Sequence, residues 1–326
     1  MDLKDKIIEY AKELSLDTIG FTECRRFDEL GSFFQQRIDA GLLNEFEEED
    51  IEKRINPFLL MEDGKTIISI AFPYYHGDNC DGTGFSLYTR GKDYHKVVKE
   101  YLTKICEFIR STGGKAEYFV DSNPLPERYI ASLCGIGFIG KNNTLITEKY
   151  GSYVFLGEII TDIKLAADNP LDHGCMNCNL CMEKCPTNVI IGNVIRFNSK
   201  RCVSYLTQKK HLSDEEIPLI SGRLFGCDTC QKVCPHNRHI SNSPIEEFIP
   251  HDFMEAPDIL NLVNMSNGEF KEKYINCSCG WRGKNILMRN ALINYYSINK
   301  RDMDNIKIEI KSPYLKDYYD RLFEKK

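Results

Sequence analysis

Two runs of cysteines carry the plainest chemistry in this chain. Cys175, Cys178, Cys181 and Cys185 read C-x-x-C-x-x-C-x-x-x-C-P with Pro186 behind them, and Cys227, Cys230 and Cys234 read C-x-x-C-x-x-x-C-P with Pro235 behind them. Thiolates are soft, anionic ligands. Three at this spacing wrap one cubic iron–sulfur cluster, while the fourth, held off by three residues and a proline, turns toward a second. The second run is one ligand short, and Cys202 in SKRCVSYLT, on an expected helix between the runs, supplies it. Crossing the fourth ligands as two-cluster ferredoxins do gives Cys175, Cys178, Cys181 and Cys234 for one 4Fe-4S cluster, and Cys202, Cys227, Cys230 and Cys185 for the other. Paired C-x-x-C units also bind zinc, but runs that end in proline are the cluster pattern. The chemistry expected is electron transfer in single steps.

Holding two clusters takes only a short segment, and the remainder of the 326 residues is long enough for further domains. The first 168 residues read as mixed α and β. Strands are expected at Thr66 to Phe72, Glu117 to Val120, Asn143 to Thr147 and Ser152 to Asp162, the last two joined at Tyr150-Gly151. Helices are expected at Asp28 to Leu43, at Tyr94 to Arg110 and after Pro124. At the start, Leu3, Ile7, Ile8, Ala11 and Leu14 recur at helical period between charges, which describes an amphipathic helix and not a signal segment. The cluster domain runs from 169 to 242. From 243 to 326 the chain reads as mainly helical, with Ile286, Leu287, Ala291, Leu292 and Tyr295 forming one stripe. The fold class is therefore α+β.

Composition narrows the function. No stretch reaches the roughly 18 apolar residues of a membrane span, and 14 cysteines without an export signal point to a reducing cytoplasm rather than to a disulfide framework. A net charge of -6 excludes a globally basic nucleic-acid coat, so any contact with nucleic acid must be local. The acidic run Asn44 to Asp50 reads as a solvated loop.

Several motifs point to other chemistries and fail on context. GIGFIGK (Gly135 to Lys141) satisfies G-x-G-x-x-G, yet a helix precedes it and a strand follows, the reverse of a dinucleotide fold. A P-loop needs Ser or Thr where this chain has Asn142. These glycines are expected to let the backbone approach something flat and bulky. DYHKVV resembles the D-x-H-x-x-G signature of cobalt-ligating corrinoid proteins, but Val98 occupies the glycine position, so His95 reads as a hydrogen-bonding residue. Asp121 ends a strand before a proline-initiated helix; it either caps an Asx turn or serves as a partly buried general acid with a raised pKa. Cys277 and Cys279 have no complete ligand set nearby, and Cys24, Cys80, Cys106 and Cys134 read as small hydrophobes.

Taken together, RGKDYHKVV (Arg90 to Val98), DSNPLPERYIASLCGIGFIGKN (Asp121 to Asn142), GSYVFLGEIITD (Gly151 to Asp162), the first cysteine run, RCVSYLT (Arg201 to Thr207) and LFGCDTCQKVCPHN (Leu224 to Asn237) resemble the epoxyqueuosine reductase family, in the family's order. The resemblance implies an N-terminal domain, residues 1 to 168, that binds base-off cobalamin, followed by a ferredoxin-like double-cluster domain that feeds its cobalt. It implies corrin contacts at Arg54, Asp121, Leu145, Leu156, Asp228 and Thr229, with Asp121 as proton donor, and gives the glycine turn a corrin to lie along. The implied reaction reduces epoxyqueuosine to queuosine at the wobble base of a tRNA, with an external electron donor and a monomeric enzyme. Longer relatives carry a helical-repeat tail, of which only GWRGKNILMRNALINYY is matched here. The basic residues Arg282, Lys284, Arg289, Lys300 and Arg301 are candidate phosphate contacts or a solvated face. Two other readings are a dicluster ferredoxin-type electron carrier and a corrinoid-dependent reductase of another substrate.

Overall fold

The computed structural model describes residues 2–77, 84–298, 310 and 312–324, and within them the chain forms two compact units. The first comprises Met1–Tyr75, Tyr94–Ser199 and Thr229–Glu246; the second comprises His76–Asp93, Lys200–Asp228 and Glu247–Lys326. Cys80, Lys300 and Arg301 lie outside the described residues.

The first unit is built on one antiparallel sheet. Its strands are β1 (Ile19–Glu23), β2 (Thr66–Pro73), β3 (Ala116–Phe119) and β4 (Val154–Thr161), in the spatial order β1-β2-β4-β3. Every residue of β2 is buried, in keeping with its β-branched composition and central place. On β4 the side chains alternate between two covered faces. A Cβ on Gly157 would meet Val98 and Leu102 at 2.9 and 2.8 Å, so that face packs tightly against the helix α2 (Tyr94–Ser111). Val97, Val98, Leu102, Ile105, Cys106 and Ile109 form the buried stripe of α2; burying each large member contributes roughly 1.5–3 kcal/mol. The opposite face of the sheet, which carries Ile67, Ala71 and Ile160, is covered by α3 (Glu127–Leu133) through Ile130 and Ala131. Helix α1 (Leu3–Glu13) opens with Asp2 accepting from the Asp5 N–H, and buries Ile7 and Ala11.

Two expected elements are shorter than their sequence suggested, for local reasons. The helix expected at Asp28 to Leu43 runs only over Gly31–Asp39 behind a 3₁₀ turn, because Gly41 adopts φ 62° and ends it. The strand expected at Asn143 to Thr147 shrinks to Leu145–Ile146, since Asn143 itself has φ 62°; it pairs with Phe138–Ile139 and not with β4, from which only a bridge between Thr147 and Gly151 leads on.

The second unit wraps short helices around α4 (Lys284–Ile298), of which every residue from Ile286 to Tyr295 is buried. Its polar members are saturated. Asn290 Nδ2 donates to the carbonyls of Thr207 and Leu224, both at 2.7 Å, and Arg289, 0 % exposed, donates to the carbonyls of Lys209, Lys210 and Thr207 and to Asn290 Oδ1. Arg289 is thus an internal tie and not the phosphate contact that its place in a basic stretch suggested. Cys277 and Cys279 sit in this same core; burial pushes the Cys277 thiol up to about 12 and that of Cys279 well above its ordinary value. Among the described residues no helix is long and apolar enough to cross a membrane.

Candidate functional site

Four of the eight candidate cluster cysteines meet in the first unit. Cys175, Cys178, Cys181 and Cys234 line one small cavity together with Asn142, Ile146, Pro235 and His236. Burial and the neighbouring thiols raise the pKa of both Cys181 and Cys234. The Lys141 N–H donates to Cys175 Sγ at 3.3 Å, and Lys141 Nζ is anchored on the Met176 and Cys178 carbonyls and on Asn179 Oδ1 at 3.3, 2.9 and 2.9 Å. Among the described residues no three His, Cys, Asp or Glu side chains converge on a single-ion point; these four thiols surround a space instead, as ligands of a cubane must. Cys185 is half-buried, which would raise its pKa, but the N–H groups of Thr187, Val189 and Ile190 outweigh burial and lower it. Cys230 also belongs to the first unit, whereas Cys202 and Cys227 belong to the second.

The glycine-rich turn beside this cavity is shaped by the protein's own main chain. A Cβ on Gly135 (φ 69°) would lie 2.3 Å from the Asn169 carbonyl, and one on Gly137 would lie 2.6 Å from that of Ile146. Close internal packing therefore accounts for these glycines without a flat ligand.

A larger cavity, of about 490 Å³, opens at the end of the sheet between α3 and the segments 30–54 and 194–199. Arg37, Arg54, Arg128, Glu47, Asp121 and Asn123 are among its lining. The residues Asn44 to Asp50 form the expected loop, with none of them buried, but Glu47 turns inward, accepting from buried Arg37 at 3.3 Å and from the hydroxyl of Ser199. Arg54 lies over the Phe34 ring at 4.1 Å, and its Nε is out of solvent with no hydrogen-bond partner in the protein. Burial lowers its pKa to about 10, against the pull of Glu47.

Asp121 sits at the rim with φ 49°, a left-handed conformation that is costly for a residue with a Cβ. Its Oδ2 is 2.9 Å from His95 Nε2, and the His95 ring is stacked on Tyr94, which in turn stacks on Phe155. The burial expected for Asp121 is absent, since 53 % of its side chain is exposed. Two neighbouring carboxyls that sequence reasoning passed over are shifted upward, half-buried Glu127 and buried Glu158. Glu127, at the start of α3, is raised by burial and by the Asp121 charge; Glu158, 0 % exposed on β4, is raised well above the ordinary carboxylate range by burial and by Glu127. Glu158 had a legible signal: it is the one charge in VFLGEIIT.

Leu145 is 3 % exposed in the core with Ile130 and Ile136, leaving little side chain for a ligand, and Leu156 is half-buried against the same core. Asp228, in the second unit, accepts the Leu87 N–H on Oδ2 at 2.8 Å; Thr229 opens a short helix in the first.

Comparison with known proteins gives this geometry a context. Residues 174–237 match the family model of a 4Fe-4S double cluster binding domain, and residues 54–122 match that of "Epoxyqueuosine reductase QueG, DUF1730". The chain is 36 % identical over 309 residues to the epoxyqueuosine reductase of Lactococcus garvieae, covering 92 % of this chain and 88 % of that one. It is similar to the crystal structure of an epoxyqueuosine reductase with a tRNA-Tyr epoxyqueuosine-modified stem loop, at 39 % identity and TM-score 0.85 over 90 % of this chain and 81 % of that one. A Bacillus subtilis epoxyqueuosine reductase, solved with its catalytic aspartate loop swung out of the active site, matches at 38 % identity and TM-score 0.84 over the same shares.

Proposed function

The chain belongs to the epoxyqueuosine reductase family, and from that premise we propose that it reduces the epoxide of epoxyqueuosine, at the wobble position of a tRNA, to the alkene of queuosine. In this reading the cysteine quartets Cys175, Cys178, Cys181, Cys234 and Cys185, Cys202, Cys227, Cys230 hold the two clusters of the 169–242 segment. An external reductant loads them, and the working unit is a single chain in the cytoplasm. Loss of the epoxide oxygen as water takes two electrons and two protons. The clusters carry the electrons singly, and a chain-borne acid must protonate the oxygen as it leaves.

The observation that supports the assignment of that acid is the Asp121 carboxyl at the rim of the arginine-lined cavity, oriented by His95. Its exposure suits a group that receives its substrate from outside and is covered only when the tRNA base, drawn out of the anticodon stack, closes over it. Arg54 and Arg128 supply positive charge for phosphate or for the developing oxyanion, whereas buried Arg37 is engaged by the carbonyls of Val194, Ile195 and Phe197 and by Glu47. Cobalamin fits the donors present, because a corrin is fringed with carboxamides and Arg54 Nε, in the cavity wall, is a donor without an acceptor among the described residues. When bound, cobalamin supplies a low-valent cobalt that can engage the epoxide. Arg54, Leu156, Asp228 and Thr229 are the side chains assigned to hold it, and Leu145 contributes by shaping the wall.

The test is turnover of tRNA bearing epoxyqueuosine by the anaerobically reconstituted, reduced protein, followed as nucleosides by mass spectrometry. Queuosine should form with cobalamin present, and its absence would overturn the proposal. Asp121→Asn should leave the iron–sulfur and corrin absorption intact while lowering turnover on the order of 100-fold or more. Full activity of that variant would remove Asp121 as the acid.

A further inference from the structure

Asp121 occupies a backbone conformation that it would not keep unaided, and the loop that carries it is organised around another carboxyl. Glu127 Oε1 accepts both the Asp121 N–H and Asn123 Nδ2, each at 2.8 Å. Asn123 completes the turn, since its Oδ1 accepts the Leu125 N–H at 2.8 Å and its N–H donates to the Asp121 carbonyl at 2.7 Å. Removing the Glu127 carboxyl would therefore leave the left-handed Asp121 without its main-chain tie.

Behind Glu127 stands Glu158, projecting from the middle of β4 onto the face that α3 covers. Ser69, directly opposite on β2, donates to Glu158 Oε1 at 3.1 Å, and Oε2 has no donor from the protein. The remaining ionisable neighbour is Glu127, whose charge helps to raise Glu158. Two neighbouring carboxylates, one of them wholly out of water, resist ionising together. Glu127 already accepts two N–H donors, so of the two carboxyls it is Glu158 that is favoured to keep a proton. The other ionisable groups facing the pair are Asp121 and Arg128 on the Glu127 side and Cys134 on the Glu158 side, with His95 acting through Asp121.

We propose that Glu127 is the positioning residue of this site: its carboxyl clamps the Asp121 loop in the orientation that presents the Asp121 side chain to substrate. The inference rests on the reading of Asp121 as proton donor. It adds that catalysis depends on a second carboxyl group, Glu127, which acts through the Asp121 loop, while Glu158 behind it resists ionisation. Raising the pH until Glu158 loses its proton sets two negative charges against each other and releases the clamp.

The experiment pairs two readouts on the reconstituted holoenzyme: amide hydrogen exchange over residues 121–125, and the single-turnover rate on a stem loop carrying epoxyqueuosine. In Glu127→Ala the exchange should rise and the rate fall on the order of 10- to 100-fold, with the cluster absorption and stem-loop affinity unmoved. Glu127→Gln keeps an acceptor oxygen and should restore protection and most of the rate. Glu158→Gln, which cannot lose a proton, should flatten the alkaline decline of rate that the unsubstituted protein shows. Unchanged exchange in Glu127→Ala, or an alkaline decline that persists in Glu158→Gln, overturns the clamp. A loosened loop that turns over at the full rate overturns the positioning role when Asp121→Asn is inactive; when Asp121→Asn is fully active as well, the proton-donor reading fails with it.

Discussion

Two arginines, one in each unit, are withdrawn from water in opposite ways. Arg289 lies wholly inside the second unit, and its guanidinium is matched to carbonyls of the 206–210 segment, to Asn290 and to Tyr314 Oη. Arg54 lies against Phe34 in the cavity wall of the first unit, with an Nε that nothing in the protein accepts and with like charges on Arg37 and Arg128 nearby. A buried donor without an acceptor costs about 1–3 kcal/mol. The first arrangement is what a chain builds to hold itself together; the second is what it builds to hold something else. The same contrast separates the thiols, since Cys277 and Cys279 are sealed in a core whereas Cys175, Cys178, Cys181 and Cys234 face a common space.

Breaking the saturated side of the comparison should have the largest effect. Arg289→Met leaves several buried carbonyls without donors and should destabilise the second unit by about 3–5 kcal/mol, read as an earlier unfolding transition in urea. A loss under about 1 kcal/mol would mean that the network is not the tie it resembles.

The carboxyl pair comes next, and its effect has a definite sign. Glu158 in the folded chain has a pKa above its ordinary value of 4.5. As pH rises past that value the unfolded chain gives up the proton while the folded chain keeps it, so stability falls with rising pH until the folded group also ionises. Glu158→Gln removes this dependence. The variant should match the unsubstituted protein below pH 4.5 and exceed it at neutral pH, as measured by unfolding across that range. Equal stability at neutral pH would show that the pair carries no unfavourable charge.

How far these features can be read from sequence depends on whether their cause is local. Ligand spacing is local, so the cysteine runs announce a cluster site from the residue string alone. So does the stripe of α2, expected at Tyr94 to Arg110 and found at Tyr94–Ser111. Asp121 was legible as a strand-end carboxylate, but its exposure was not, because exposure is set by what α3 and the 30–54 segment leave open. Glu127 was hidden inside PLPERY, where an acidic residue in a first helical turn is unremarkable, and it gains its role only when Glu158 arrives from a strand 31 positions on. Arg289 was misread for the complementary reason: a basic residue in a basic stretch looks solvated until the packing of the second unit encloses it.

The unsaturated arginine gives the smallest change in stability and for that reason the sharpest test of the comparison. Arg54→Met removes the attraction of Glu47, but it also removes repulsion from Arg37 and Arg128 and the burial that lowers the pKa of Arg54. These contributions oppose one another, and an apolar side chain of similar length can still pack on Phe34. Stability should therefore stay within about 1 kcal/mol of the unsubstituted protein. Binding should not be spared, because a charged donor that reaches an acceptor only in the complex contributes about 1.5–3 kcal/mol there. Cobalamin retention, measured by equilibrium dialysis against the corrin absorption, should weaken roughly 10- to 100-fold, in line with that energy. A variant that lost stability and kept its affinity would place Arg54 beside Arg289 as a structural tie and dissolve the distinction between them.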